Sequence, residues 1–189
     1  MKRRAGFTLI ELLITLTVMV ILVILAVITV RSTQATARDE KRKTDIENIA
    51  RGLELRYVNG NPKATSPWVY KGAYPGTNEI LHALGEDRSS QDFVPAQITG
   101  GYITELLPDT SAENFVPPGG GTFYPSCVWA CQPAETQSFI ESISTPGKYI
   151  YEPIDADGNI CPGKECVRFN LYYRTEVDNV IHKVKSKRQ

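Results

Sequence analysis

The sequence predicts an α+β protein in which one long N-terminal helix packs on a small antiparallel β-sheet head. Three observations carry that prediction. The chain is apolar from Phe7 to Val30 with one charge, Glu11. No Pro occurs from Phe7 to Asn61, and Gly52 is the only Gly between Phe7 and Val58-Asn59-Gly60-Asn61-Pro62, a strong helix stop. Two aromatic segments near the C-terminus are separated by a turn sequence.

The apolar run is long enough to cross a bilayer as a helix at about 1.5 Å per residue. Beyond Val30 the pattern becomes mixed. Ile46, Ile49, Ala50, Leu53 and Tyr57 fall on one helical stripe, with Asp39, Glu40, Lys41, Arg42, Lys43, Asp45 and Glu47 on the remaining surface. A continuous helix from Phe7 to Tyr57 would be on the order of 75 Å long. Its first half, apolar on every side, must be surrounded by lipid or by copies of itself. Its second half needs cover along one stripe only.

From Asn59 to Gly147 the chain is punctuated by Pro and Gly. Tyr74-Pro75 reads as a loop and Glu79 to Leu84 as a short helix. Pro117-Pro118-Gly119-Gly120-Gly121 is a breaker cluster inside the head. Lys148 to Ile154 and Cys166 to Arg174 read as an antiparallel hairpin across the turn Asp155-Ala156-Asp157-Gly158-Asn159. Val167, Phe169, Leu171 and Tyr173 share one face, expected against the helix stripe. A third strand is expected near Thr122 to Trp129.

The chain has 189 residues, which suits one modest domain plus an appendage. Lys and Arg number 21, as do Asp and Glu, so the electrostatic footprint of a nucleic-acid binder is missing. Lys183, Lys185, Lys187 and Arg188 read as a solvated basic terminus. Catalytic patterns are absent: no Gly-rich phosphate loop, no G-x-S-x-G and no H-E-x-x-H. His82 and His182 read as surface residues.

The N-terminus admits three readings. A secretory signal peptide needs a shorter apolar core, and its only small-x-small site, Ala35-Thr36-Ala37, comes late. An uncleaved anchor fits Lys2, Arg3 and Arg4, but Arg31, Arg38, Lys41, Arg42 and Lys43 on the far side blur the charge asymmetry. The third reading turns on Glu11. A carboxylate deep in a span costs roughly 2.5–3.5 kcal/mol and less near its end, so it calls for a partner. A new N-terminus at Phe7 would supply an ammonium group for a neighbouring subunit's Glu11.

Arg4-Ala5-Gly6-Phe7-Thr8-Leu9-Ile10-Glu11-Leu12 resembles the prepilin leader of type IV pilins and type II secretion pseudopilins. The resemblance implies the pilin fold, cleavage by prepilin peptidase between Gly6 and Phe7, N-methylation of Phe7, and a role for Glu11 in subunit register. It further implies a leader at 1–6, an assembly helix at 7–30, an amphipathic helix at 31–58 and a head at 59–189. Many family members carry a helix-breaking Pro where this chain has Ile28.

The expected function is that of a structural subunit of a type IV pilus. The alternatives are a pseudopilin of a secretion or DNA-uptake system, or a membrane-anchored exported enzyme or binding module. Expected partners are copies of itself and other pilins, prepilin peptidase, the assembly platform and, before assembly, membrane lipid; nucleic acid is not expected. The head would lie outside a single-pass anchor and then in an extracellular pilus or envelope pseudopilus. Adhesion, twitching motility and protein secretion are the processes such filaments serve.

Cys127, Cys131, Cys161 and Cys166 lie on the exported side and suggest two disulfides. Cys127–Cys131 and Cys161–Cys166 are favoured, with cross-pairing open. The spacings C-x3-C and C-x4-C argue against zinc. Asp155, Asp157 and Asn159 sit at calcium-loop spacing, but Ile160 and Cys166 occupy positions that should hold Gly and Glu, so a plain turn is the stronger reading. Major pseudopilins bind calcium in a head loop, which keeps that cofactor as an alternative to none.

Overall fold

The computed structural model describes residues 7–59, 72–83, 103, 106–107, 109–126, 140–141, 145–163 and 166–188. The chain divides into two compact units, Met1–Ala37 and Arg38–Gln189.

The first unit holds the apolar part of helix α1 (Leu9–Asn59). Every described large apolar side chain from Phe7 to Val30 is exposed. α1 is long and apolar enough to cross a membrane. It passes through position 28 without a break, as the lack of Pro predicts.

The second unit is built on the remainder of α1. The described elements that follow are helix α2 (Thr77–Ala83), a 3-10 turn (Ala112–Phe115), and strands β1 (Thr122–Pro125), β2 (Lys148–Ile154), β3 (Arg168–Arg174) and β4 (Ile181–Lys185). The strands form one sheet in the order β1-β2-β3-β4. The expected β2–β3 hairpin is present, with Tyr151 opposite Leu171 and Pro153 opposite Phe169.

The sheet is mixed rather than purely antiparallel, because β1 pairs parallel to β2. The chain between Pro125 and Lys148 has the dozen or more residues that a parallel crossover requires. The second correction concerns the C-terminus. The four basic residues are exposed, as expected, but Lys183 and Lys185 lie on β4 rather than in a tail, Lys187 N donates to Glu54 Oε1 at 2.8 Å, and the Arg188 guanidinium lies 4.2 Å from the Tyr57 ring centroid. Exposed lysines on an edge strand discourage pairing with another sheet.

The α1 stripe and one sheet face make the core. Ile46, Ile49 and Leu53 are buried with Phe123, Tyr149, Tyr151, Phe169, Leu171 and Tyr173, while Ala50 and Tyr57 pack at the margin. Burying each aliphatic side chain contributes about 2 kcal/mol. The other face is also covered: Ile150 and Tyr172 cluster with Ile140. There Glu152 accepts from Asn170 Nδ2 at 2.5 Å and Tyr172 Oη at 2.7 Å. Val167 precedes β3 and donates its N–H to Ile154 O at 2.9 Å.

Gly52 marks a close approach, since a Cβ there would stand 2.0 Å from Thr110 Oγ1. The third correction lies on α1 itself. Arg42 and Asp45, expected among solvent-facing charges, are buried.

Candidate functional site

The residues expected to carry processing and assembly cluster at the start of α1. Gly6 lies outside the described residues. Phe7 precedes the helix and is 82% exposed. Thr8 begins the helix: its Oγ1 accepts from Glu11 N at 3.3 Å and its carbonyl from Leu12 N at 3.2 Å. A threonine hydroxyl in this place satisfies one of the orphan N–H groups of a helix start.

Glu11 sits in the first turn, where a carboxylate complements the helix dipole. It is exposed, and its carboxylate has no partner among the described residues. The threonines of the span differ from it. Thr15 donates to Leu12 O at 2.9 Å, Thr17 to Ile14 O at 2.8 Å and Thr29 to Leu25 O at 3.0 Å. Among the described residues, Glu11 is the one polar side chain between Leu9 and Val30 with no side-chain hydrogen bond.

A second constellation, not foreseen from sequence, surrounds Arg42. Its Nε donates to Pro146 O at 2.7 Å, Nη1 to Asp39 Oδ1 at 2.7 Å, and Nη2 to Pro118 O at 3.1 Å. Nη2 also makes a close ion pair with Glu176 Oε1. Arg38 reaches the same carboxylate, Nη2 to Oε2 at 2.6 Å. Asp39 accepts from the backbone N–H groups of Glu176, at 2.8 Å, and Val177, at 3.0 Å. The Arg38 hydrogen bond, then Arg42, hold the Glu176 carboxyl down at about 2. A buried guanidinium reads like any surface Arg in sequence; the one available signal was the Arg38, Asp39, Arg42 spacing on one helix face.

Nearby, Asp45 accepts from Lys41 Nζ at 3.0 Å and Tyr149 Oη at 3.0 Å. Burial pushes its carboxyl up, against those two donors.

Cys161 and Cys166 form a disulfide, while Cys127 and Cys131 lie outside the described residues. The Cys161–Cys166 loop supplies carbonyls to its neighbours: Tyr74 N donates to Cys166 O at 2.8 Å and Thr77 N to Cys161 O at 3.2 Å. The fit is close, since a Cβ on Gly76 would stand 2.0 Å from Gly163 O.

Asp155 and Asn159 close the turn between β2 and β3, with Asn159 N donating to Asp155 Oδ1 at 2.8 Å and Asp155 N to Asn159 O at 2.9 Å. Asp157 is exposed. Among the described residues, no three His, Cys, Asp or Glu side chains group as metal ligands. His182 is half-buried and stacks on Tyr173 with ring centroids 4.9 Å apart. His82 falls within α2.

Residues 1–29 match the family model described as the prokaryotic N-terminal methylation motif. No curated protein and no solved structure matches the chain.

Proposed function

We propose that this chain, which carries the type IV pilin and pseudopilin signature at residues 1–29, is a structural subunit of a type IV pilus. In this reading prepilin peptidase cuts between Gly6 and Phe7, Phe7 is N-methylated, and the subunit joins the filament through α1. The observation that carries the proposal is the pairing of an all-round apolar span with one carboxylate, Glu11, that has no partner among the described residues and lies four residues beyond the new amine.

The physical logic is mutual neutralisation. A free ammonium at Phe7 and the Glu11 carboxylate are each costly to isolate in a low-dielectric bundle. Paired between neighbouring subunits, they compensate one another. The pairing also selects one longitudinal offset between helices that apolar side chains alone leave loosely defined. Cleavage removes the basic leader and keeps the span, so the subunit stays membrane-held, head outside, until assembly. Its partners are then lipid, prepilin peptidase, the assembly platform, and copies of itself or other pilins.

A second reading, a pseudopilin of a secretion or DNA-uptake system, uses the same chemistry with a filament confined to the envelope. A membrane-anchored exported enzyme or binding module is disfavoured, because such an anchor has no use for Glu11.

Mass spectrometry of protein from its native cells tests the proposal. The expected chain begins at N-methylated Phe7; a chain retaining Met1 overturns it. Glu11→Ala should be processed normally yet enter filaments poorly. Immunogold labelling then separates surface pili from an envelope-confined filament.

A further inference from the structure

Among the described residues, tertiary side-chain hydrogen bonding along α1 begins at Arg38. Before it, the described side-chain hydrogen bonds stay within four residues. From Arg38 to Arg42, little more than one helical turn, α1 is tied to the turn at Pro118, the turn at Pro146 and the β3–β4 turn at Glu176 and Val177.

We propose that Arg42, with Glu176 and Asp39, is the positioning group that orients the sheet on α1 and through which a pull on the helix enters the head. The inference rests on the assembly reading and deepens it, since only a subunit drawn by its helix into a filament carries such a pull.

The chemistry separates adhesion from orientation. Ile46, Ile49 and Leu53 bind the sheet by area, which is non-directional. Hydrogen bonds to a planar guanidinium are directional, and Arg42 directs them at acceptors on four chain segments, its own helix included. A lysine ammonium has three donors on one nitrogen and cannot reproduce that fork. Stability and orientation are separable here, because replacing a whole buried ion pair by apolar residues is often neutral or stabilising, whereas removing one partner alone is costly. Its place at the first tertiary contacts means that these bonds meet any tension before the core does.

The experiment uses the full chain in its native cells and compares wild type with Arg42→Lys, Arg42→Met and Glu176→Gln. The readouts are N-terminal mass, sheared filament yield, thermal unfolding in detergent, and hydrogen exchange of the 175–180 peptide. All variants should begin at Phe7. The Glu176 and Val177 amides donate to the Asp39 carboxylate that Arg42 holds, so their exchange should rise about tenfold or more as the turn loosens with the loss of the Arg42–Glu176 charge-assisted bond. Filament yield should fall several-fold in Glu176→Gln, whose site is only partly buried, and in whichever Arg42 variant keeps its melting temperature. Wild-type yield from Glu176→Gln despite faster exchange overturns the proposal. So does a yield that tracks only the fraction of folded protein. Wild-type protein that does not begin at Phe7, or is missing from filaments, overturns the assembly reading instead.

Discussion

Tyr149 on β2 donates its phenolic hydrogen to Asp45 Oδ2 on α1 at 3.0 Å, joining sheet to helix through a carboxylate that Lys41 also reaches. Burial raises both partners, since each would be costly to charge in that place. The contact is therefore a neutral phenol donating to a carboxylate held against its own desolvation.

Removing the donor should be the costly change. Tyr149→Phe is expected to destabilise the protein by about 1.5–3 kcal/mol, the range for a bond to a charged group. Asp45→Asn should cost less, because the amide oxygen still accepts from Tyr149 and the penalised charge is gone. Lys41 offsets little of this, its side chain being 50% exposed. Urea unfolding of the full chain in detergent gives the comparison. A larger loss in Asp45→Asn would mean that attraction to Lys41, not burial, governs the site.

Acid should act on Glu176 and Asp45 in opposite directions. The Glu176 carboxyl falls from an ordinary 4.5 to about 2 in the folded protein. Its stabilisation is complete above the unfolded value and is lost as pH falls toward the folded one, because the unfolded chain takes up the proton first. Asp45 is raised, so its ionised form costs stability, and that cost lifts as pH falls through the raised value. The stability gap between wild type and Glu176→Gln should therefore close between about pH 5 and pH 2. A gap constant across that window would show that the Arg38 and Arg42 contacts do not hold the carboxylate in solution.

Gly52→Ala should destabilise the protein although Ala is the better helix former by about 1 kcal/mol. The added Cβ would stand 2.0 Å from Thr110 Oγ1. That buried hydroxyl has no hydrogen-bond partner among the described residues, so Thr110→Ala removes the obstruction without breaking a bond. The double variant should melt well above the single Gly52→Ala. Equal melting temperatures would locate the strain elsewhere.

Much of the architecture was legible because it rests on periodicity. The unbroken helix as far as Asn59, the stripe through Ile46, Ile49 and Leu53, and the β2–β3 hairpin all follow from residue spacing. The parallel pairing of β1 was not legible, since four residues ending in Pro125 say nothing about strand direction. β4 was hidden by its lysines: Ile181-His182-Lys183-Val184-Lys185 has two aliphatic residues, and its stability comes from pairing with β3. Arg42 was misread because burial of a cation depends on acceptors more than seventy residues away in sequence. At the N-terminus, spacing drew attention to Phe7 and Glu11, but the satisfied hydroxyls that leave Glu11 distinctive emerge only with three-dimensional geometry.

The inward-turned hydroxyls of Thr15, Thr17 and Thr29 have a consequence for how the span trades surroundings. A rod that keeps its hydrogen bonds to itself presents the same unreactive wall to an acyl chain as to another helix. Exchanging one environment for the other then breaks no bond along most of its length. In the proposed filament, discrimination between correct and slipped alignments would then be concentrated at one end, much as a smooth shaft takes its setting from a single key.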